Sequence, residues 1–409
     1  MSVLSYVFKV LPSRAQHAAL DAMLENQRQF YNAALQERIG AWRGGVSIGL
    51  NDQTKSLTEI RKFDAGIGGV PYNVSKWTLK RLDDSMKAFF KRAKARRGKA
   101  GFPRFRGKAG WSTFGFHQIG GLRLKGRKLL FSTGIVGGLL LKMHRSIPQG
   151  SMIRSATFTK EARHWRVALV IEVADALAHD HPTASCGIDV GVEALATLSD
   201  GTRVENIRPR KAADRKLRQA ARALARCKRG SKRRRKVRAA LAAAQRKVRN
   251  IRSTHLHQVS AAITRQYSLI AVEDLNLKNM TRSAKGTLAE PGTNVRQKAG
   301  LNRSLADSAP GRLIEMIRYK AERASGVMIK VDPRYTSQMC NACGVIVTKL
   351  LNEREHVCPC GTNMHRDHNA AINILQRGLT AHEAARRLGE PNVDHQVVRA
   401  PGKTVLEAA

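Results

Sequence analysis

Apolar and polar positions alternate through "VLSYVFKV" at residues 3 to 10, which predicts a strand. Pro12 and Ser13 then supply a helix start. Beyond them Ala18, Leu20, Met23, Leu24, Phe30, Tyr31, Ala34 and Leu35 recur at helical spacing to about Ile39. A second helix is predicted over about Gln53 to Lys62. A third runs from about Ser75 to Arg96 through Trp77, Leu79, Leu82, Met86, Phe89 and Phe90. After residue 100 the period shortens to that of strands in "LRLKGRKLLFS", "LLLKMHR" and the hairpin-like "SATFTKEARHWRVALVIEV". Residues 1 to 180 therefore read as a mostly β barrel (about 1–12 and 101–180) with a helical insert (about 13–100).

The second half, 181 to 378, alternates strands and helices. "SCGIDVG" is a buried strand with Asp189 near its end, and "VEALATLSDGTRVEN" is a hairpin turning at Asp200-Gly201. Residues 208 to 253 carry two apolar stripes, Leu217, Ala221, Leu224, Ala225 and Val237, Leu241, Ala244, Val248. Gly230-Ser231 breaks them into antiparallel helices. The second helix leads into the strand "SLIAVEDLN", which holds Glu273. Polar residues 277 to 308 read as a mobile loop, followed by a helix at about Pro310 to Ala324, the strand "VMIKVD" and a helix pattern opening at "HRDHNAAINIL" with Asp367. Residues 379 to 409 are expected to form a disordered tail, apart from a short helical stretch at "AHEAARRLG". The fold class is multidomain α+β.

Charge narrows the function. Lys and Arg number 73 against 31 Asp and Glu, a net +42. Such an excess implies a long polyanion as partner, nucleic acid first. No apolar run approaches the roughly 20 residues of a membrane span. The N-terminus lacks the basic start and apolar core of a secretory signal, so a cytoplasmic, nucleoid-bound location is expected. About twenty of the cations lie in 208–253, Arg233, Arg234 and Arg235 among them, with Asp214 as the acid between them. Like charges at that density repel unless phosphates neutralise them, so this hairpin is read as a grip on a nucleic-acid backbone. In "GFPRFRGKAGWSTFGF", Phe102, Phe105, Trp111, Phe114 and Phe116 are interleaved with Arg104, Arg106 and Lys108. That mixture suits stacking on unpaired bases, and equally a strand with core aromatics.

Two sets of residues carry chemistry. Cys340-Asn-Ala-Cys343 and Cys358-Pro-Cys360 have the spacing of a zinc ribbon. Four thiolates complete a tetrahedral Zn2+ and leave no open position, so the site, within about 333–363, is structural; His365 is a possible substitute ligand. Cys186 reads as a core residue of its strand. Asp189, Glu273 and Asp367 each sit beside an apolar run, and an acidic first strand followed by hairpins is how an RNase H-like nuclease begins. Three such carboxylates can hold two Mg2+ ions that activate water and stabilise the leaving oxygen of a phosphodiester.

These segments, taken in order, resemble a known family. "GIDVGVEALATLSDG", "AVEDLNLKNM", "LNRSLADSAPGRLIEMIRYKA", "RYTSQMCNACG" and "CPCGTNMHRDHNAAINIL" are similar to TnpB, the transposon-encoded RNA-guided DNA endonucleases, as are "GFPRFRGKAG" and "LPSRAQHAALDAMLENQRQFYNAAL". The resemblance covers about residues 1 to 378. It implies a RuvC-like nuclease domain with Asp189, Glu273 and Asp367 as metal ligands, and a wedge barrel with a recognition insert. It also implies a guide RNA from the transposon end, a double-stranded DNA target beside a short adjacent motif, and one protein copy per ribonucleoprotein. Asn73, Ser75 and Trp77, at the start of the third helix, fall where the family reads that motif. Two departures stand out: Ala309-Pro310-Gly311 where the family often has Gly-Trp-Gly, and CxC for the second cysteine pair. Compact type V CRISPR effectors share the fold and the carboxylates. An RNA-guided repressor that does not cut and a strand-transferring transposase are the alternatives of other classes.

Overall fold

Alternation of apolar side chains builds the first half of the molecule. In the strand β1 (Ser2–Leu11) Tyr6, Phe8 and Val10 are buried while the residues between them face outward. Ser13 then caps α1 (Arg14–Arg43): its hydroxyl accepts from the Gln16 N–H, and the Gln16 side chain accepts from the Ser13 N–H. The helices α2 (Leu50–Phe63), α3 (Ala65–Gly68) and α4 (Tyr72–Lys94) follow, then the strands β2 (Thr113–Phe116), β3 (Leu122–Lys125), β4 (Lys128–Phe131), β5 (Leu139–Lys142), β6 (Met152–Glu161) and β7 (His164–Val173). The computed structural model describes residues 2–95, 100–173, 184–287, 289–350 and 353–387. It divides into two units, residues 1–175 and 176–409.

The first unit is one antiparallel sheet in the order β2-β6-β7-β1-β5-β4-β3. Its core joins Phe8, Phe114, Phe116, Phe158 and Trp165 to Leu20, Tyr31 and Leu35 of α1 and Leu79 and Leu82 of α4. The mostly β barrel of the sequence reading is a seven-stranded half-barrel whose ladder ends at β2 and β3. The end strands are only four residues long, and α4 packs on β2, its Arg81 donating to the Thr113 hydroxyl at 2.8 Å. A short strand backed by a helix is one way to manage a sheet edge without closure.

The second unit contains β8 (Ser185–Val190), β9 (Ala194–Leu198), β10 (Arg203–Glu205), α5 (Pro209–Ala225), α6 (Lys232–Gln266), β11 (Leu269–Glu273), α7 (Leu277–Met280), α8 (Val295–Ser308), α9 (Pro310–Arg323), β12 (Val327–Val331), β13 (Glu355–Val357), β14 (Asn363–His365) and α10 (Arg366–Arg387). Its sheet runs β10-β9-β8-β11-β12; β8, β9 and β10 are antiparallel, whereas β11 pairs in parallel with both β8 and β12. Side chains of period two divide the strands between two faces. Cys186, Ile188, Ile270, Val272 and Met328 pack with Leu256 and Ile263 of α6 and Leu313 and Ile317 of α9. Leu269, Ala271, Ile329 and Val331 pack with Ile374, Ala381 and Ala385 of α10.

Two glycines set how closely α10 approaches. A Cβ on Gly187 of β8 would lie 2.1 Å from the Ala371 carbonyl oxygen, and one on Gly378 of α10 would lie 2.4 Å from the Ala271 Cβ. Helix backbone therefore rests on strand backbone, a contact open only to glycine.

Two expectations change. The stretch 277–308 is not simply a loop: α8 forms within it, burying Leu305 and Asp307. The helix that opens at Arg366 does not stop at 378, because Ala381 and Ala385 continue the face begun by Ile374; it runs to Arg387, and residues 388–409 lie outside the described residues. The linker at 174–183 and the basic residues 96–99 lie outside them too. At the family departure, Ala309 takes a left-handed conformation (φ 53°) and Pro310 opens α9, a position where its missing N–H costs nothing.

Gly187→Ala is expected to destabilise the protein by about 3 kcal/mol or more, the upper range for overpacking against atoms that cannot move aside. Thermal denaturation checks this against Gly40→Ala, where a Cβ meets nothing within 4 Å and little change is expected.

Candidate metal centres and nucleic-acid interface

Strand alternation and helix placement bring the three carboxylates to one side of the second sheet. Asp189 follows Gly187 by two residues on β8, so it shares the α10 face. Glu273 ends β11 on the face of Leu269 and Ala271. The parallel register pairs Val272 with Ile188, which sets Glu273 level with Asp189 on the neighbouring strand. Asp367 lies in the first turn of α10, where the helix dipole favours a negative charge.

All three are half-buried. Burial, followed by the charges of Glu273 and Asp367, pushes the Asp189 carboxyl well above the usual carboxylate range; Arg366 pulls the other way. Burial also raises Glu273, against a hydrogen bond from Thr336 and the charge of Arg377. The Thr336 hydroxyl is 2.5 Å from Glu273 Oε1, and the Arg377 guanidinium donates to the Asp332 and Arg334 carbonyls at 2.7 and 2.8 Å. A setting that desolvates carboxylates and adds the charge of one to another is suited to a cation, which relieves both costs together.

The cysteines converge more tightly. The sulfurs of Cys340, Cys343, Cys358 and Cys360 all lie within 4.8 Å of one another, the group of three or more candidate ligands that stands at metal-holding spacing among the described residues. The Cys340–Cys360 and Cys343–Cys358 separations are 3.7 and 3.5 Å. Sulfurs about 2.3 Å from a tetrahedral Zn2+ stand about 3.8 Å apart, so the donor set and its spacing fit zinc. Burial opposes ionisation of Cys340, but the N–H groups of Cys343 and Ala342, with Thr362 and His356, outweigh it and lower its pKa to about 5. Gly344 and Gly361 turn the two knuckles at positive φ, 78° and 91°. His365 stands outside the cluster, its Nδ1 accepting the Asp367 N–H at 3.1 Å. Cys186 is a fully buried strand residue.

The candidate nucleic-acid contacts divide. Ser75 is buried where the first turn of α4 packs on α1, its hydroxyl accepting from Gln27 at 3.3 Å. Asn73 donates to the Gly120 carbonyl at 2.9 Å, and Trp77 is half-buried beneath the Arg81 guanidinium. Of the interleaved aromatics, Trp111, Phe114 and Phe116 are core, whereas Phe102 and Phe105 are 43% and 53% exposed beside exposed Arg104. Arg106 is half-buried and stacked over Tyr31, with its backbone tied to Arg28 and Asn32. Arg233 and Arg235 are exposed. Arg234 instead donates to the Leu224 and Cys227 carbonyls at 2.8 and 3.1 Å, closing the end of α5. Sequence reasoning passed over Thr336, Asn369, Asn373 and Arg377. The signal for the two asparagines was present: polar residues at i and i+4 on the apolar face of a helix.

Residues 168–284 match the family model OrfB_IS605, described as "Probable transposase", and residues 311–374 match a Cas12f1-like TNB domain. The "Putative RNA-guided DNA endonuclease InsQ" of Escherichia coli (strain K12) is 32% identical over 304 residues, 74% of this chain and 73% of that protein. A protein of Streptomyces pristinaespiralis with the same functional description is 28% identical over 389 residues, 92% of this chain and 90% of its own. A solved structure of CasPhi-2 (Cas12j) bound to crRNA aligns over 93% of this chain and 98% of that one at 12% identity, with a TM-score of only 0.45. The fold class is mixed α/β with a cluster of potential metal ligands. The chain belongs to the TnpB-like family of IS605-type transposons.

The raised Asp189 carboxyl has a consequence for stability. Its folded-state pKa exceeds the unfolded one, so without a cation the ionised group costs stability. That cost begins as pH rises past the ordinary carboxylate range and is complete above the raised value. Asp189→Asn is therefore expected to raise the Tm in Mg2+-free buffer at pH 8 and to change it little near pH 4; a lower Tm at pH 8 would contradict the geometry.

Proposed function

We propose that this chain is an RNA-guided, Mg2+-dependent DNA endonuclease of a transposon, which cuts double-stranded DNA beside a short adjacent motif with one RuvC-like site. The observation that carries the reading is the gathering of Asp189 and Glu273, on neighbouring strands, beneath the helix that opens with Asp367. A sheet with three antiparallel strands continued by two parallel ones, with helices on both faces, supports an RNase H-like domain. The names of the related proteins support the guide and the target.

Each part of the chain has a role in this reading. Two Mg2+ ions, held by Asp189, Glu273 and Asp367, would supply a nucleophilic water and stabilise the leaving 3′-oxygen. Asp189, level with Glu273, would hold them from the sheet and Asp367 from the helix, while the Thr336 hydroxyl bonds Glu273 and the Arg377 charge acts on it. Cys340, Cys343, Cys358 and Cys360 hold Zn2+ as a structural ribbon. The first unit is the wedge with its recognition insert, and the α5–α6 hairpin grips phosphates of the guide RNA or its heteroduplex. Base pairing supplies sequence specificity while the protein reads shape and charge. The match of residues 311–374 to a Cas12f1-like domain favours one second reading, a compact CRISPR effector with this same site. A repeat array beside the gene, in place of a transposon end, would distinguish it.

Asp189→Ala, Glu273→Ala and Asp367→Ala are each expected to bind guide RNA and a matched target yet fail to cleave with Mg2+, because binding rests on the basic surfaces. Gel shifts and cleavage assays of the same ribonucleoproteins check this. An unmutated complex that binds a matched target and never cuts it, across motifs and metals, would establish an RNA-guided binder instead.

Replacing Arg233 and Arg235 with Gln should weaken RNA binding and flatten its salt dependence by about 0.7–0.9 per lost phosphate contact. Arg234→Gln should lower thermal stability and alter that slope less. Equal slopes for all variants would make the hairpin an ordinary solvated face.

A further inference from the structure

The carboxylates and the cysteines look like separate features in the sequence, but one line of hydrogen bonds joins them. The chain leaves β12 beside Glu273, since Val331 and Glu273 are paired in register, and then runs without regular secondary structure to Cys340. Three side chains of α10 at successive helical turns stitch that segment down. Arg377 donates to the Asp332 and Arg334 carbonyls at 2.7 and 2.8 Å. Asn373 donates to the Thr336 and Met339 carbonyls at 2.8 and 2.7 Å. Asn369 donates to the Met339 carbonyl at 2.7 Å and accepts the Asn341 N–H at 3.0 Å.

Both asparagines are fully buried, so these amides fasten the residues on either side of Cys340, and a lost partner there would be costly. The same helix carries Asp367, two residues before Asn369. At the middle of the segment Thr336 is 3% exposed, its carbonyl held by Asn373 and its hydroxyl 2.5 Å from Glu273 Oε1. The hydroxyl also lies 3.0 Å from the Pro333 carbonyl; the ionised carboxylate is the stronger acceptor for its one proton. A β-branched side chain in a buried setting has little rotational freedom, so it fixes one oxygen of Glu273.

We propose that Thr336 is a positioning residue for Glu273, clamped by the Asn369–Asn373–Arg377 row, so that the cysteine knuckle and the carboxylate site form one mechanical unit. The inference rests on the nuclease reading above. It makes the second metal centre a brace for the first, a role beyond folding its own ribbon. Groups that orient a metal's ligands change metal affinity about 10–100-fold when removed.

The test uses the full chain with its guide RNA, as Thr336→Val and Thr336→Ser. Two quantities are measured: the Mg2+ concentration giving half-maximal cleavage, and the Mn2+ dissociation constant from electron paramagnetic resonance without DNA. Thr336→Val should raise both by about 10–100-fold, with zinc content and target affinity unchanged, and Thr336→Ser should restore them. Thr336→Ala is read the same way should the valine variant lose zinc or fold. Metal dependence unchanged in the valine variant overturns the proposal, as does a serine variant as defective as valine, which would mean the methyl group acts by packing. An unmutated chain without Mg2+-dependent cleavage would defeat the nuclease reading, and the Mn2+ titration would still decide the role of Thr336.

Discussion

The contact of α10 with β8 and β11 is the constraint on which the second unit depends. Gly187 and Gly378 remove the side chains that would hold helix and sheet apart, and the helix lies backbone to backbone on the strands. At that distance its first turn reaches the strand ends, and Asp367 comes to the electrostatic neighbourhood of Asp189 and Glu273. Apolar packing of Ile374, Ala381 and Ala385 against Leu269, Ala271, Ile329 and Val331 supplies the free energy that holds mutually repelling carboxylates together. The unfavourable ionisation of Asp189 is the trace of that conflict. Sites that run against local stability in this way are where function is expected.

The electrostatics of the chain serve two separate ends. Across the whole chain, cations outnumber anions by more than two to one, which suits a polyanionic partner. Within the fold, individual cations are spent on structure: Arg234 closes a helix end, Arg377 stitches a loop, and Arg38 is buried against Asp83 at 3.3 Å. Asp307 does the converse, accepting from the Arg210 and Lys211 N–H groups at the start of α5 and from Arg252 of α6, which fastens the basic hairpin to α8. Net charge identifies the kind of partner, and burial decides which arginines can meet it.

Much of the chain was legible because its signals are local. Pro12-Ser13 opens α1, Asp200-Gly201 turns a hairpin, and the cysteine spacing anticipates a cluster that the fold assembles. Asp189, Glu273 and Asp367 drew notice because each stands beside an apolar run, and the fold brings the first two onto one face of neighbouring strands. What escaped depends on distant contacts. Ser75 stands at the predicted start of the third helix, and only the packing of α1 against α4 buries it under Gln27. The polar stretch containing α8 is helical because Asp307 and Leu305 find partners far along the chain. Thr336 gives no sequence signal, since its role exists only once β12 has delivered it beside Glu273.

In the proposed function, helix, sheet and knuckle together build a site for two divalent cations. Crystals of the full ribonucleoprotein with matched DNA and Mn2+, measured at the manganese absorption edge, test that claim most directly. The account predicts two anomalous peaks about 3.5–4 Å apart among Asp189, Glu273 and Asp367, distinct from a zinc peak amid Cys340, Cys343, Cys358 and Cys360. Well-ordered carboxylates with no manganese between them, in a complex holding its target strand, would contradict it.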